Sequence, residues 1–487
     1  MANLSVIKKL AGDSLIYGVS GVVSRFIGIF LVPIYTRIFT PTDYGIISLV
    51  ITLFTLLSIL VVLGLDNSLA RWFYDDEDES DRKISLNTFL WSCFAAACIF
   101  AVLVVALQDF IALKILQEPL TKPALLIAAL NLPLTVFTTF SANVLRIQRR
   151  AAAASVFSLS IALLTIALNV LFVVIIRTGY IGVFYAQLLT SIIAAIWTLI
   201  LFKDSINPRF FNWHRWKEMF RFSFPLIPGS IAFWVINLSG VYFIQTFQNA
   251  AEVGLYQIGI SIASAMALLT GAFQMAWGPF AFSIHKQPEA KEIYAQTLNL
   301  YMGATCAVAV LITLFARETL LVLATEAYVS AFWVAGILAF NHLVIGLGYL
   351  ASIGTSLAKN NKAYGIASVI SAGLLVLLNL IFVPRFGKEG AAAATLASQI
   401  IIPAAVFWHA QILYPIPYNF TKAFLIFPGS LIAGFGTLFF INEIPLNIYS
   451  QIALKTAIAV IFLTILFFAL NIKEHLFGHF AKSEIKS

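Results

Sequence analysis

Arg25 sits near the middle of an apolar run, 11–36, that is long enough to cross a bilayer. A guanidinium at mid-membrane costs about 2.5–3.5 kcal/mol on insertion scales, so it must face a polar cavity or a partner. Ser14, Gly18, Gly21, Arg25 and Gly28 recur at spacings of 4, 3, 4 and 3. One helix face therefore carries a small, polar stripe with the cation in it. The chemistry that suits such a planar fork is bidentate binding of a phosphate or pyrophosphate. The structural alternative ties Arg25 to helix-end carbonyls or to a carboxylate such as Asp66.

A second constellation lies in the run 222–245, where Pro225, Pro228 and Gly229 interrupt a segment that goes on to Asn237, Ser239, Tyr242 and Gln245. Broken, polar helices in corresponding halves of a transporter point to the binding site, and Asn237 follows Arg25 by 212 positions. Gln257, Gln274 and Trp277 are placed to line the same cavity, although such residues also serve helix packing. Asn341-His342 reads as an interior pair, and Lys455 is expected to snorkel to the surface. His475 and His479 are too few for a metal site, and Cys93, Cys98 and Cys306 space like neither ligands nor a disulfide framework. The sequence has no nucleotide fingerprint and no large loop for catalysis, so the expectation is no enzyme, no metal and no cofactor.

The elements that hold these residues follow from composition. Hydrophobic residues make up 61% of the 487 and charged residues 11%, against roughly 25% charged in a soluble domain. A chain so poor in charge cannot cover a soluble surface. The net charge of +8 is read as basic loops against an anionic leaflet, not as nucleic-acid binding. Fourteen apolar runs are long enough to span: 11–36, 44–65, 85–107, 123–145, 153–176, 180–202, 222–245, 253–281, 296–315, 330–353, 364–383, 390–412, 423–441 and 448–470. The expected fold is an all-α polytopic membrane protein. With the N-terminus in the cytoplasm, 21 of the 30 Lys and Arg fall on cytoplasmic segments and seven on the opposite loops, which predicts cytoplasmic ends. The longest connections are Asp66–Ile84, with its acidic run Asp75 to Glu79, and Lys203–Arg221. Neither is long enough to form a domain, and the acidic run reads as a solvated loop.

The chain also repeats itself at an offset of about 208–212. Gln148-Arg149-Arg150-Ala151 precedes Leu168-Asn169-Val170-Leu171-Phe172-Val173 and Gly179-Tyr180-Ile181-Gly182. Lys359-Asn360-Asn361-Lys362-Ala363 precedes Leu378-Asn379-Leu380-Ile381-Phe382-Val383 and Gly387-Lys388-Glu389-Gly390. Phe39 to Gly45 parallels Phe247 to Gly254. Six spans per unit is an even number, so the lobes 1–202 and 203–412 form a parallel repeat, with two more helices in 413–487. Such lobes suit alternating access around a central cavity.

Three stretches carry a family resemblance: Ser24-Arg25-Phe26-Ile27-Gly28, Thr36-Arg37-Ile38-Phe39-Thr40-Pro41-Thr42-Asp43-Tyr44-Gly45, and Gly64-Leu65-Asp66-Asn67-Ser68-Leu69-Ala70-Arg71-Trp72-Phe73. On them the chain resembles the Wzx-like polysaccharide flippases of the multidrug/oligosaccharidyl-lipid/polysaccharide exporter superfamily. The resemblance implies a bacterial inner-membrane protein that moves an undecaprenyl-pyrophosphate-linked oligosaccharide outward for O-antigen, capsule or exopolysaccharide assembly. Arg25 would bind the pyrophosphate, with Asn237 and Gln274 as further substrate contacts proposed from the residues. It also implies membrane lipids, a polysaccharide polymerase and chain-length proteins as partners. The rivals are a lipid II flippase, a cation-coupled multidrug antiporter, which the lack of mid-span carboxylates disfavours, and a non-transporting scaffold.

Overall fold

The computed structural model describes residues 31–443 and 447–469. Every regular element among them is helical, as hydrocarbon demands of a chain without a closed barrel. Twelve stretches are long and apolar enough to cross a membrane. One of these, Lys362–Leu413, runs for 52 residues and holds two of the predicted runs, 364–383 and 390–412. It is an antiparallel pair. Gly387 leaves the helical region at φ 53°, and Ser371 Oγ donates to the Ser398 carbonyl at 2.8 Å. A continuous helix would hold those two residues roughly 40 Å apart. Of the run 11–36, only the last six residues are described, and they are helical.

The chain divides into two compact units, Met1–Gln257 and Ile258–Ser487. The repeat is written into the local geometry of both. The helices Lys122–Ile147 and Phe332–Leu357 have 26 residues each and begin 210 positions apart. They end in the same turn. Arg149 and Lys359 both have φ 55°, and their N–H groups reach the Arg146 and Ser356 carbonyls at 3.0 Å. The next N–H groups, of Arg150 and Asn360, reach Leu145 and Thr355 at 2.9 Å. Farther on, Gly179 and Gly387 take positive φ, a conformation that costs glycine little. Gly182 and Gly390 lay bare α-carbons against the backbone of Phe172 and Phe382. The repeated polar residues therefore encode repeated turns.

Within the first unit a third pair of matching segments meets. Thr40 Oγ1 accepts the Asp43 N–H at 3.2 Å while Asp43 Oδ2 accepts the Thr40 N–H at 3.0 Å, a reciprocal capping box that starts the Pro41–Val62 helix. Asn249 Oδ1 likewise accepts the Glu252 N–H at 3.0 Å, opening the Ala250–Ile284 helix. These two starts cross. The Gly45 α-carbon abuts the Ala250 carbonyl and the Gly254 α-carbon abuts the Pro41 carbonyl, a contact reciprocal about a local two-fold. Ser48 and Gln257, 209 positions apart, bond each other at 3.2 Å, as equivalent residues on such an axis can.

The two longest connections, expected to be too short for a domain, contain helices that pack together, Leu65–Asp75 and Trp213–Ser223. Ser68 Oγ donates to the Met219 carbonyl at 2.7 Å and bonds the Ser223 hydroxyl. The acidic run is only partly solvated. Asp76 turns inward, pairs with Arg215 at 3.1 Å and accepts from Ser85 Oγ at 2.7 Å, while Asp75, Glu77, Asp78 and Glu79 stay exposed. A buried carboxylate is tolerable only when paired and hydrogen-bonded, and Arg215 and Ser85 supply both needs.

Candidate functional site

The first unit holds a partly open hollow among its candidate membrane helices. Helices Pro41–Val62, Lys122–Ile147 and Ile181–Leu201 border a cavity of about 160 Å³ lined by Thr55, Ser58, Asn131, Thr135 and Gln187 among apolar neighbours. A smaller cavity of about 80 Å³ adjoins it through Ser58, Leu132 and Thr135 and reaches Thr139. The lining mixes apolar side chains with neutral hydroxyls and amides, and none of its described residues is charged. Thr55, Ser58 and Thr135 each donate their hydroxyl proton to a carbonyl of their own helix, at 2.8, 2.8 and 2.7 Å. Each oxygen keeps lone pairs for an outside donor. Asn131 Oδ1 is buried and has no hydrogen-bond partner among the described residues. Two residues on, Pro133 lies inside the helix and removes the N–H that the Ala129 carbonyl would otherwise take.

An unpartnered buried amide oxygen costs about 1–3 kcal/mol, so its persistence beside a cavity marks a place for a hydrogen-bonding ligand or water. The same feature recurs in the second unit. Asn341, 210 positions after Asn131 and at the same place in the matching helix, also has a buried, unpartnered Oδ1. Its surroundings differ. Tyr301 lies against that helix, donating to the Leu343 carbonyl at 3.0 Å and touching bare Gly346. Tyr301 belongs to an aromatic cluster with Phe273, Trp277 and Tyr294, with ring centroids 4.7–5.7 Å apart. Through Tyr301 these rings cover the Leu343 and Gly346 side of that helix.

The residues singled out in the sequence are distributed as follows. Arg25 lies outside the described residues. Asn237 is exposed on the Ile227–Leu238 helix and its Nδ2 donates to the Phe233 carbonyl at 2.8 Å. Gln245 Nε2 donates to the Gln117 carbonyl at 3.2 Å. In the second unit Gln274 is exposed and Trp277 is buried. Lys455 does not snorkel. Its ammonium is 2.7 Å from Glu318 Oε1 with its side chain 2% exposed, so a carboxylate on another helix takes the charge instead. Thr55, Asn131, Thr135 and Gln187 were missed in the sequence. Neutral polar residues are common in membrane helices, and only the packing of three separate helices gathers these four.

A family model described as polysaccharide biosynthesis protein matches residues 10–285. An uncharacterized membrane protein of Haemophilus influenzae is 23% identical over 287 residues, which is 58% of this chain and 67% of that one. Among solved structures, the lipid II flippase MurJ in an inward closed conformation has a TM-score of 0.75 at 14% identity, covering 94% of this chain and 99% of its own. An inward-facing multidrug resistance MATE family transporter of the MOP superfamily has a TM-score of 0.55 at 17% identity, covering 82% and 94%. At these identities the likeness to both is one of fold. With more than half its length matched, the chain belongs to the polysaccharide biosynthesis protein family and has the fold of the MOP-superfamily transporters.

Proposed function

We propose that the protein is a flippase that carries a polyprenyl-pyrophosphate-linked oligosaccharide from the cytoplasmic to the outer leaflet by alternating access. The observation that carries this reading is the cavity among the candidate membrane helices, whose described lining offers neutral hydroxyls and amides, in a chain of this family. Sugars present many hydroxyls and no fixed charge, and a lining of amides and hydroxyls with spare acceptors matches them. Among the described residues the cavity lining carries no carboxylate, the group a cation exporter would use there. Arg25 supplies the anion-binding half, gripping the pyrophosphate bidentately. The polyprenyl tail stays in the bilayer. The lobes 1–202 and 203–412 rock about the site, and both ends face the cytoplasm.

Lipid-linked glycans in a deletion strain test this directly. Oligosaccharide on its carrier is expected to accumulate at the inner leaflet, and unchanged lipid pools would sink the reading. Arg25→Ala is expected to abolish export at normal membrane abundance, with Arg25→Lys restoring part of it. Full export by the alanine variant would remove the pyrophosphate role. A second reading, transport of lipid II, draws support from the TM-score of 0.75 to a protein of that name. Loss of cell-wall precursor transport in the deletion strain, with surface glycan intact, would select it.

The cavity makes a separate prediction. Asn131→Leu removes an unpartnered buried amide at nearly constant volume, so the variant is expected to melt at the wild-type temperature or a few degrees above it. Export should nevertheless fall about tenfold, the loss of one good hydrogen bond to substrate. A fall in melting temperature with unchanged export would make Asn131 purely structural.

A further inference from the structure

The Trp213–Ser223 helix holds five ionisable side chains in eleven residues, too many for hydrocarbon, and it sorts them by face. At 3.6 residues per turn, Arg215, Met219 and Ser223 share the side packed on the Leu65–Asp75 helix and its neighbours. Met219 and Ser223 meet Ser68 there, and Arg215 meets Asp76. Another side carries a ladder of rings. Trp213 stacks on Trp216 at 4.7 Å and 10°, Trp216 on Phe220 at 5.1 Å and 9°, and Phe220 meets Phe224 at 5.6 Å.

The ends of this ladder are open, with Trp213 57% and Phe224 60% exposed, and Phe210 and Phe211 extend the apolar surface. Along its flank stand Lys217 and Arg221, one turn apart and both exposed. The Lys217 ammonium lies 5.8 Å over the Trp213 ring. From Lys203 to Ser223 the chain carries five Lys and Arg against two carboxylates, one of which, Glu218, faces His214 at 3.3 Å. An open groove of about 660 Å³ lies on the Arg221 side, lined by Trp72, Asn212, His214 and Arg215 and by the carboxylates Asp81 and Glu218, and does not reach Lys217.

Exposed rings on one side and cations beside them are the pattern of a helix lying in the headgroup layer, rings toward acyl chains and cations at phosphate level. We propose that Lys217 and Arg221 bind the phosphate of an anionic phospholipid while the Trp213–Phe224 ladder beds into the adjoining acyl region. This holds the segment between the Ile181–Leu201 and Ile227–Leu238 helices on the membrane surface. The site takes a bulk lipid of the leaflet and is independent of the transported substrate. Polybasic segments gain about 1 kcal/mol per cation at such a surface, so the pair is expected to favour anionic over zwitterionic lipid roughly 30-fold.

Native mass spectrometry of the full-length protein in detergent, titrated with phosphatidylglycerol or with phosphatidylcholine, measures this preference. The wild type should retain phosphatidylglycerol selectively. Lys217→Gln with Arg221→Gln should reduce its retention to that of phosphatidylcholine, while Lys286→Gln, in a different loop, leaves it unchanged. Equal retention of the two lipids by the wild type, or undiminished selectivity in the double variant, would overturn the proposal. If the double variant is not monodisperse, Lys217→Gln alone and a salt titration of the wild type serve. Selectivity must then fall several-fold in the variant and vanish at high salt, and persistence in either refutes the site.

Discussion

Gly45→Ala is expected to leave almost no monodisperse protein after extraction. A Cβ at this position would fall within the van der Waals shell of the Ala250 carbonyl, and one at Gly254 within that of the Pro41 carbonyl. The obstacle is backbone in both cases, so no rotamer change relieves it, and the two helix starts must part. Separation would also break the Ser48–Gln257 hydrogen bond beside them. Overpacking usually costs about 1–3 kcal/mol, and a clash with rigid backbone belongs at or above the top of that range. Gly373→Ala is the matched control, since a Cβ there meets nothing within 4 Å. In a helix interior it is expected to gain up to about 1 kcal/mol. Size-exclusion profiles after a heat ramp compare the two. A Gly45→Ala protein that melts within two or three degrees of wild type would show the crossing to be loose.

The second large effect belongs to Lys455. Its ammonium is buried about two turns into the Ile448–Ala469 helix and pairs with Glu318 on the Ala290–Leu323 helix. Glu318 Oε2 already lacks a partner among the described residues. Lys455→Met would therefore strand a carboxylate away from water, at about 3–5 kcal/mol. Glu318→Gln should cost less, because the amide still accepts from the ammonium. Joining Lys455→Met to Glu318→Leu is expected to recover most of the loss, because the pair's attraction largely serves to offset its own desolvation. The melting temperatures of Lys455→Met, Glu318→Leu and this double variant form the cycle. A Lys455→Met protein as stable as wild type would mean that the lysine reaches water after all.

The repeat shows how far local signals carry. Arg149 and Lys359 were legible as matching polar residues in matching order, and both occupy left-handed turns that end equal helices. The parallel of Phe39 to Gly45 with Phe247 to Gly254 was likewise visible, and in the fold it holds the caps Thr40 and Asn249. What the sequence hid was direction and company. Asp76 and Glu79 read alike in one acidic run, yet one is clamped by Arg215 and the other is exposed, because only the fold brings Arg215 within 3.1 Å of Asp76. Lys455 read as a snorkelling side chain because Glu318 is 137 positions away.

Composition, apolar run length and the period of the polar residues determined an all-helical membrane chain with a duplicated plan. These signals survive in sequence because bilayer thickness and turn chemistry act on neighbouring residues. The tertiary structure decided which duplicated features stay equivalent. Asn131 and Asn341 hold the same place in matching helices and both keep an amide oxygen without a partner among the described residues, whereas Asn131 lines a cavity of about 160 Å³ with Thr55 and Gln187 from other helices. Such a hollow is made by side chains from separate helices, and no local pattern records which of them will meet.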